Sequence, residues 1–181
     1  MNYVFFADGF EEIEALATVD VMRRAGMDVT LVSINPTLEV NGAHGVKVVA
    51  DVLMDQVDAS QAEWLVLPGG MPGATNLAAC EPLTEMLVAH NAAGGKVAAI
   101  CASPAIVFAP LGLLEGKNAT CYPGMEAEGC GANWQSDMVV VDGNIVTGRG
   151  PAAACSFGFT IAAMSKGVEA AEAVAQGMLL K

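Results

Sequence analysis

A short apolar run that stops at a cysteine constrains this chain most. Residues 97–100 are all apolar, and a run of this length is typical of a parallel strand covered on both faces. Cys101 ends the run, and Ser103-Pro104 opens an apolar segment that suits a helix start, with Ser103 as the cap and Pro104 in the first turn. The pattern predicts a strand–turn–helix unit with a cysteine on the bend, which is the thiol version of a nucleophile elbow.

Cys101 has two interpretations on this stretch alone. Cysteine is among the most buried residue types, so Cys101 can be a small core residue. On an elbow, the amides of the following helix favour an anion, and the pKa of such a thiol can fall from about 8.5 to about 3.5–7.5. Ala99 and Ser103, two residues to either side, are small enough for such a turn to close.

Apolar patterning along the rest of the chain alternates between strand and helix. Buried strands are predicted at residues 3–6, 28–33 and 64–67, helices at 13–25, 81–93, 105–114, 152–165 and 168–179, hairpins around 46–50 and 138–147, and a surface loop at 125–136. This alternation predicts one α/β domain over residues 1–181, with a largely parallel sheet and helices on both faces.

Three predicted loops follow strands of this sheet, at residues 8–14, 68–73 and 101–104. Sites in such sheets form at the carboxyl ends of the strands, so we expect the three loops to meet beside Cys101. A protonated glutamate there would help the thiolate by donating a hydrogen bond. An ionised glutamate would raise the pKa of the thiol by like-charge repulsion, and the two groups would titrate as a coupled pair.

Charge and composition exclude several classes of partner. The chain has 8 basic and 20 acidic residues and a net charge of −12, which argues against nucleic acid and anionic membrane surfaces. No stretch approaches the ~20 apolar residues of a membrane span, and the N-terminus lacks a basic-then-apolar signal. The five cysteines lack CxxC spacing, which suits reduced thiols, so we expect a cytoplasmic protein.

The sequence predicts neither a cofactor nor a metal. It contains no GxGxxG or P-loop motif. The glutamates at 11, 12 and 14 interact favourably with the dipole at a helix start but would repel a phosphate group there. His44 and His90 lack the spacing of zinc ligands. We expect His44 to be solvated in a turn, and His90 to complement the dipole at a helix end.

Several separate motifs, in order along nearly the whole chain, resemble one family. They are Gly9-Phe10-Glu11-Glu12-Ile13-Glu14, residues 19–26, Leu67-Pro68-Gly69-Gly70, residues 98–102 and Arg149-Gly150-Pro151. On these motifs the chain resembles the ThiJ/PfpI superfamily, a class I glutamine amidotransferase-like group, on the branch of the Parkinson-associated protein deglycase.

The resemblance implies a flavodoxin-like three-layer αβα sandwich with a strained, reactive Cys101. It also implies that Glu14 is the protonated partner of the thiol, and that the amides of Gly70 and Ala102 form a pocket like an oxyanion hole. Members of this family are typically cytosolic homodimers. Their first helix, which here includes Glu11 and Arg24, often contributes to the interface.

One departure from the family bears on the chemistry. Relatives often have a histidine before the proline of the loop that follows the elbow helix, and here Tyr122 precedes Pro123. We expect Tyr122 and Gly69 to line the pocket. The protease-like branch has a histidine directly after the cysteine, where this chain has Ala102. The absence of a Cys-His pair disfavours a cysteine peptidase or amidase.

Two hypotheses of different classes follow. In the first, the Cys101 thiolate adds to a small reactive carbonyl such as methylglyoxal, or to a glycated adduct, and Glu14 shuttles the proton of a glyoxalase- or deglycase-like reaction. In the second, Cys101 is oxidised to a sulfinic acid in a redox-responsive stress protein with signalling or chaperone-like binding. We favour the first.

Overall fold

The computed structural model describes residues 1–126 and 130–180. Its strands are β1 (Asn2–Phe6), β2 (Val29–Ser33), β3 (Glu39–Asn41), β4 (Lys47–Val49), β5 (Val52–Leu53), β6 (Trp64–Leu67), β7 (Lys96–Ile100), β8 (Asn118–Ala119), β9 (Asn133–Trp134), β10 (Val139–Asp142) and β11 (Ile145–Gly148). Its α-helices are α1 (Glu12–Arg24), α2 (Gly73–Ala79), α3 (Glu81–Ala92), α4 (Ala154–Lys166) and α5 (Val168–Gly177).

Seven strands form the central sheet, in the order β10-β11-β7-β6-β1-β2-β5. Every neighbouring pair is parallel except β10 and β11, which form an antiparallel hairpin at one edge. The strand order reverses next to β1, so the crevice beyond the carboxyl ends of β1, β6 and β7 is where such sheets place their sites.

Side chains of the central strands alternate between two apolar clusters, because successive residues of a strand face opposite sides of the sheet. In β1, Val4 and Phe6 join the cluster that includes apolar residues of α1 and α4, whereas Tyr3 and Phe5 join the cluster of α2 and α3. Each large side chain buried in this way contributes roughly 1.5–3 kcal/mol. The three-layer αβα sandwich and its flavodoxin-like topology are therefore confirmed.

The predicted elements agree closely with the observed ones over most of the chain. The strand predicted at 64–67, the helices predicted at 81–93 and 152–165, and the hairpin strands predicted at 46–50 and 138–147 are found within two residues of their predicted positions or inside them. Among the described residues, no helix is long and apolar enough to cross a membrane.

Two segments differ from the prediction. The helix expected over 105–114 is a single π-helical turn, Pro104–Phe108, followed by turns. In the predicted loop at 125–136, Asn133–Trp134 pairs in parallel with Asn118–Ala119, whereas residues 127–129 of that loop lie outside the described part of the chain.

Candidate active site

Cys101 occupies a strained bend at the carboxyl end of β7. Its φ of 65° lies in the left-handed region, which costs a residue other than glycine about 1–3 kcal/mol. Hydrogen bonds on both sides hold this conformation: the Cys101 amide donates to the Gly148 carbonyl at 2.8 Å, and the Cys101 carbonyl accepts from the Tyr122 amide at 2.8 Å. The predicted elbow is confirmed, and the residue is 7% exposed.

The three loops predicted to meet beside Cys101 do so. The Glu11 amide donates to the Gly69 carbonyl at 2.9 Å, which joins the first loop to the glycine-rich loop. Gly70 has a φ of 91°, and a Cβ there would overlap the backbone of the first loop. Only glycine tolerates both conditions without strain.

Ser103 connects the glycine-rich loop to the elbow, which differs from its predicted role. Its hydroxyl donates to the Pro68 carbonyl at 2.5 Å, and it caps no amide of the following turn. The backbone of Ser103 is already helical, so its side chain points away from the amides that a cap would need. The prediction of a helix cap was therefore wrong, and Ser103 acts as a tertiary contact.

Glu14 lies in the first turn of α1 and is fully buried. Its Oε2 accepts the Gly69 amide at 2.8 Å, and its Oε1 has no nitrogen or oxygen partner among the described residues. The Cys101 thiol lies beside this carboxyl group, close enough that each group shifts the pKa of the other. A Cβ on Gly69 would lie 2.6 Å from the Cys101 Cβ and 2.7 Å from Glu14 Oε2, so glycine at this position permits the close approach of the pair.

Burial determines how this pair ionises. Burial raises the pKa of Glu14 from 4.5 to about 7, against the opposing effect of hydrogen bonds from Cys101 and Gly69. Burial also raises the pKa of the Cys101 thiol, and a charged Glu14 raises it further. Two negative charges in one buried site are costly, so the pair gives up its two protons in well-separated steps.

The elbow amides alone do not determine the pKa of Cys101. The backbone amides of Gly70 and Ala102 do lower the pKa of the thiol. Desolvation and the charge on Glu14 outweigh them. A thiolate is therefore favoured in this site only while Glu14 keeps its proton.

Tyr122 lies beside the elbow and lines a cavity of about 220 Å³. Its amide contacts Cys101, as described above, and its ring lies next to Gly150, whereas Gly69 lies between the thiol and Glu14. The remaining lining residues of this cavity are Pro123, Met138, Arg149, Pro151 and Ala152.

Glu11 and Arg24, the two residues expected at a dimer interface, have different surroundings. The Glu11 side chain is buried, and its Oε2 accepts the Glu14 amide at 2.7 Å as the N-cap of α1. Arg24 is exposed at the other end of α1, where its Nε donates to Asp20 Oδ2 at 2.7 Å. Within the described part of the chain, Arg24 is thus the accessible one of the two.

His44 is not simply solvated, as its position in a turn suggested. Its Nδ1 lies 2.7 Å from Glu12 Oε2, and Glu12 raises the pKa of this histidine. Its amide also donates to Glu12 Oε1 at 2.6 Å. Sequence spacing could not reveal this cluster, because the β3–β4 hairpin brings His44 to the start of α1.

Comparisons with known proteins agree with this fold and site. The DJ-1/PfpI family model matches residues 2–164. The structure of oxidized Toxoplasma gondii DJ-1 has a TM-score of 0.92 and 36% identity, with 98% of this chain and 97% of that chain covered.

Curated relatives have a range of names and lengths. Protein DJ-1 homolog B of Arabidopsis thaliana is 40% identical over 97% of this chain, and the chain spans only 40% of the length of that protein. A glutathione-independent glyoxalase of Caenorhabditis elegans is 33% identical, with 88% of this chain and 84% of that protein covered. A deglycase of Pyrococcus abyssi is 32% identical, with 82% of this chain and 89% of that protein covered.

The family match covers every loop of the site, from Glu11 and Glu14 through Gly69 and Cys101 to Arg149. Together with the strand order and the strained cysteine at the end of β7, it establishes that this chain belongs to the DJ-1/PfpI family.

Proposed function

We propose that this protein converts small reactive carbonyl compounds, with methylglyoxal as the representative substrate, by covalent catalysis at Cys101. The single observation that carries the proposal is the buried contact between the Cys101 thiol and Glu14, the carboxyl group whose pKa is raised to about 7. A pKa near the working pH is what a group that both donates and accepts a proton requires.

The reaction begins with attack of the Cys101 sulfur on the aldehyde carbon. The new S–C bond forms as the C=O π electrons move to oxygen, and Glu14 supplies the proton that completes the hemithioacetal. The amides of Gly70 and Ala102, which lower the pKa of the thiol, would stabilise the developing oxyanion.

Glu14 then acts as a base that takes the proton from the former aldehyde carbon and returns it to the neighbouring carbon through an enediol, while the hydroxyl proton passes from the first oxygen to the second. This step converts the hemithioacetal into a 2-hydroxyacyl thioester without an external oxidant. Water attacks the thioester carbonyl, the C–S bond breaks, and lactate leaves as Cys101 regains its proton. The sum is methylglyoxal plus water to lactate. Relatives named as a glyoxalase and a deglycase support this class of substrate.

Lactate formation from methylglyoxal by the purified chain tests the proposal. We expect Cys101→Ala to abolish turnover and Glu14→Gln to lower kcat by about 10²–10⁴, the range that positioned acid–base groups supply. Cys80→Ala is the matched control, because Cys80 is a free, half-buried thiol at the end of α2. Turnover by Cys101→Ala at the wild-type rate would refute the proposal.

A redox-responsive role is the second candidate, and the same donors support it. A sulfinate on Cys101 would accept hydrogen bonds from the Gly70 and Ala102 amides and from protonated Glu14. Mass spectrometry after mild peroxide treatment tests this role. Preferential oxidation of Cys101 over Cys80 and Cys155 supports it, and equal oxidation of the three refutes it.

We also propose that the chain is one domain that assembles as a homodimer in the cytoplasm. The exposed face of α1 carries Ile13, 59% exposed, and Leu16, 37% exposed, which suits a second copy of the chain. Light scattering of Ile13→Glu should show monomers, whereas Val168→Glu, an equally exposed position on α5, should leave the dimer intact. A monomeric wild type would refute the dimer.

A further inference from the structure

A cluster of three potential metal ligands lies on the surface side of the loop that carries Glu14. It consists of Glu11 and Glu12 at the start of α1 and of His44 from the turn between β3 and β4. One ligand atom from each residue lies within 4.8 Å of the other two. The closest pair is His44 Nδ1 and Glu12 Oε2 at 2.7 Å, and Glu11 Oε1 lies 4.0 Å from the same nitrogen.

Each carboxylate keeps one oxygen for the backbone and presents the other to the cluster. Glu11 Oε2 accepts the Glu14 amide at 2.7 Å, and Glu12 Oε1 accepts the His44 amide at 2.6 Å. The other two oxygens face His44: Glu12 Oε2 lies 2.7 Å from its Nδ1, and Glu11 Oε1 lies 4.0 Å from it. Hydrogen bonds that fix one part of a ligand while leaving the other available are typical of metal sites.

Glu11 strengthens this interpretation because its side chain is nine-tenths buried and its Oε1 has His44, 4.0 Å away, as its ion-pair partner. Buried charges are generally paired or coordinate metals. The glutamates supply two negative charges, and His44, even when protonated, supplies one positive charge. A divalent cation in place of the imidazole proton would balance both carboxylates.

We propose that Glu11, Glu12 and His44 form a binding site for a divalent transition-metal ion of the Zn²⁺ class. Bonds of about 2.0–2.1 Å place ligands roughly 3.4 Å apart around a tetrahedral ion. The observed distances of 2.7 and 4.0 Å bracket this value, so shifts of less than about 1 Å suffice. The His44 side chain, 72% exposed, is free to make them.

The ligand atoms favour one class of ion, and a cavity lies beside the three ligands. Calcium and magnesium prefer oxygen-only sites, whereas one imidazole with two carboxylates suits Zn²⁺. A cavity of about 460 Å³ adjoins the three ligands and has Ile13, Val46 and Pro151 as its other walls. The fourth position of the ion would face this cavity, and its wall Ile13 also belongs to the face of α1 that we propose contacts a second copy of the chain.

Calorimetric titration of the reduced, metal-free full chain with Zn²⁺ tests the site. We expect one saturable site that His44→Ala and Glu12→Gln each weaken by more than about tenfold, since even outer-shell changes cost 10–100-fold. His90→Ala, which removes the other histidine, and Cys101→Ala, which removes the neighbouring thiol, should leave the affinity unchanged. The substitution at exposed His44 carries little risk to folding.

Cobalt(II) in place of zinc gives a second readout. We expect d–d absorption that depends on His44, without a thiolate-to-cobalt charge-transfer band. The proposal is overturned by the absence of saturable binding, or by binding that survives His44→Ala but is lost in Cys101→Ala.

Discussion

Replacement of Glu14 by glutamine should make the protein relatively more stable as the pH rises. Glutamine keeps the shape of the protonated acid, so its oxygen can still accept the Gly69 amide. Its NH₂ group can donate toward Cys101 as the carboxylic acid does. The comparison is best made in a Cys101→Ala background, where no thiol titrates beside position 14.

The size of the effect follows from the pKa of Glu14, which rises from 4.5 to about 7 on folding. The folded state therefore holds this proton more tightly than the unfolded state does. The resulting stabilisation is complete below the unfolded pKa and is lost as the pH rises through the folded pKa. A shift of this size corresponds to roughly 3 kcal/mol, of which roughly 2–3 kcal/mol falls between pH 5 and 8. The thiol lowers the pKa of Glu14, so removing it should not shrink the effect.

Urea denaturation of Cys101→Ala and Cys101→Ala/Glu14→Gln at several pH values measures this difference. All other titrating groups are shared, so the change in the difference between the two proteins isolates Glu14. We expect the free energy of unfolding of the double variant to gain roughly 2–3 kcal/mol on the single variant from pH 5 to 8. A difference that is independent of pH, or that changes in the opposite direction, would refute the raised pKa.

Three further substitutions test individual contacts of the fold. Gly69→Ala should lower the free energy of unfolding by about 1–3 kcal/mol and slow the alkylation of Cys101, because its Cβ would lie 2.6 Å from the Cys101 Cβ. Gly177→Ala is the control and should not destabilise the protein, because a Cβ there meets open space. Ser103→Ala should lower the free energy of unfolding in urea by about 1–3 kcal/mol, because it leaves the buried Pro68 carbonyl unpaired. An unchanged stability would contradict a stabilising role for this hydrogen bond. Arg24→Ala breaks only an exposed ion pair with Asp20 and should change stability by less than about 1 kcal/mol; a larger loss in the monomer would contradict this.

Much of the fold could be predicted because its signals are local. The strand at 64–67 and the run that ends at Cys101 are short apolar segments between polar ones, and their alternation with helices leaves few topologies. The meeting of three loops beside Cys101 followed from a general rule about the carboxyl ends of parallel strands. The role of Glu14 came from the family resemblance, because no local spacing links it to Cys101.

The features that escaped prediction depend on tertiary contacts. Ser103 has the sequence context of a helix cap, but the neighbouring loop supplies its partner, the Pro68 carbonyl. His44 joins Glu12 only through the hairpin that carries it. The pKa of Cys101 depends on desolvation, which the elbow motif does not report.

The alkylation rate of Cys101 against pH, in wild type and in Glu14→Gln, tests most directly whether the thiol and the carboxyl act as one unit. We predict that the wild-type rate rises with a midpoint near pH 7, where the pair releases its first proton, and that Glu14→Gln lacks this step. Identical profiles in the two proteins would contradict the account, because Cys101 would then titrate independently of Glu14.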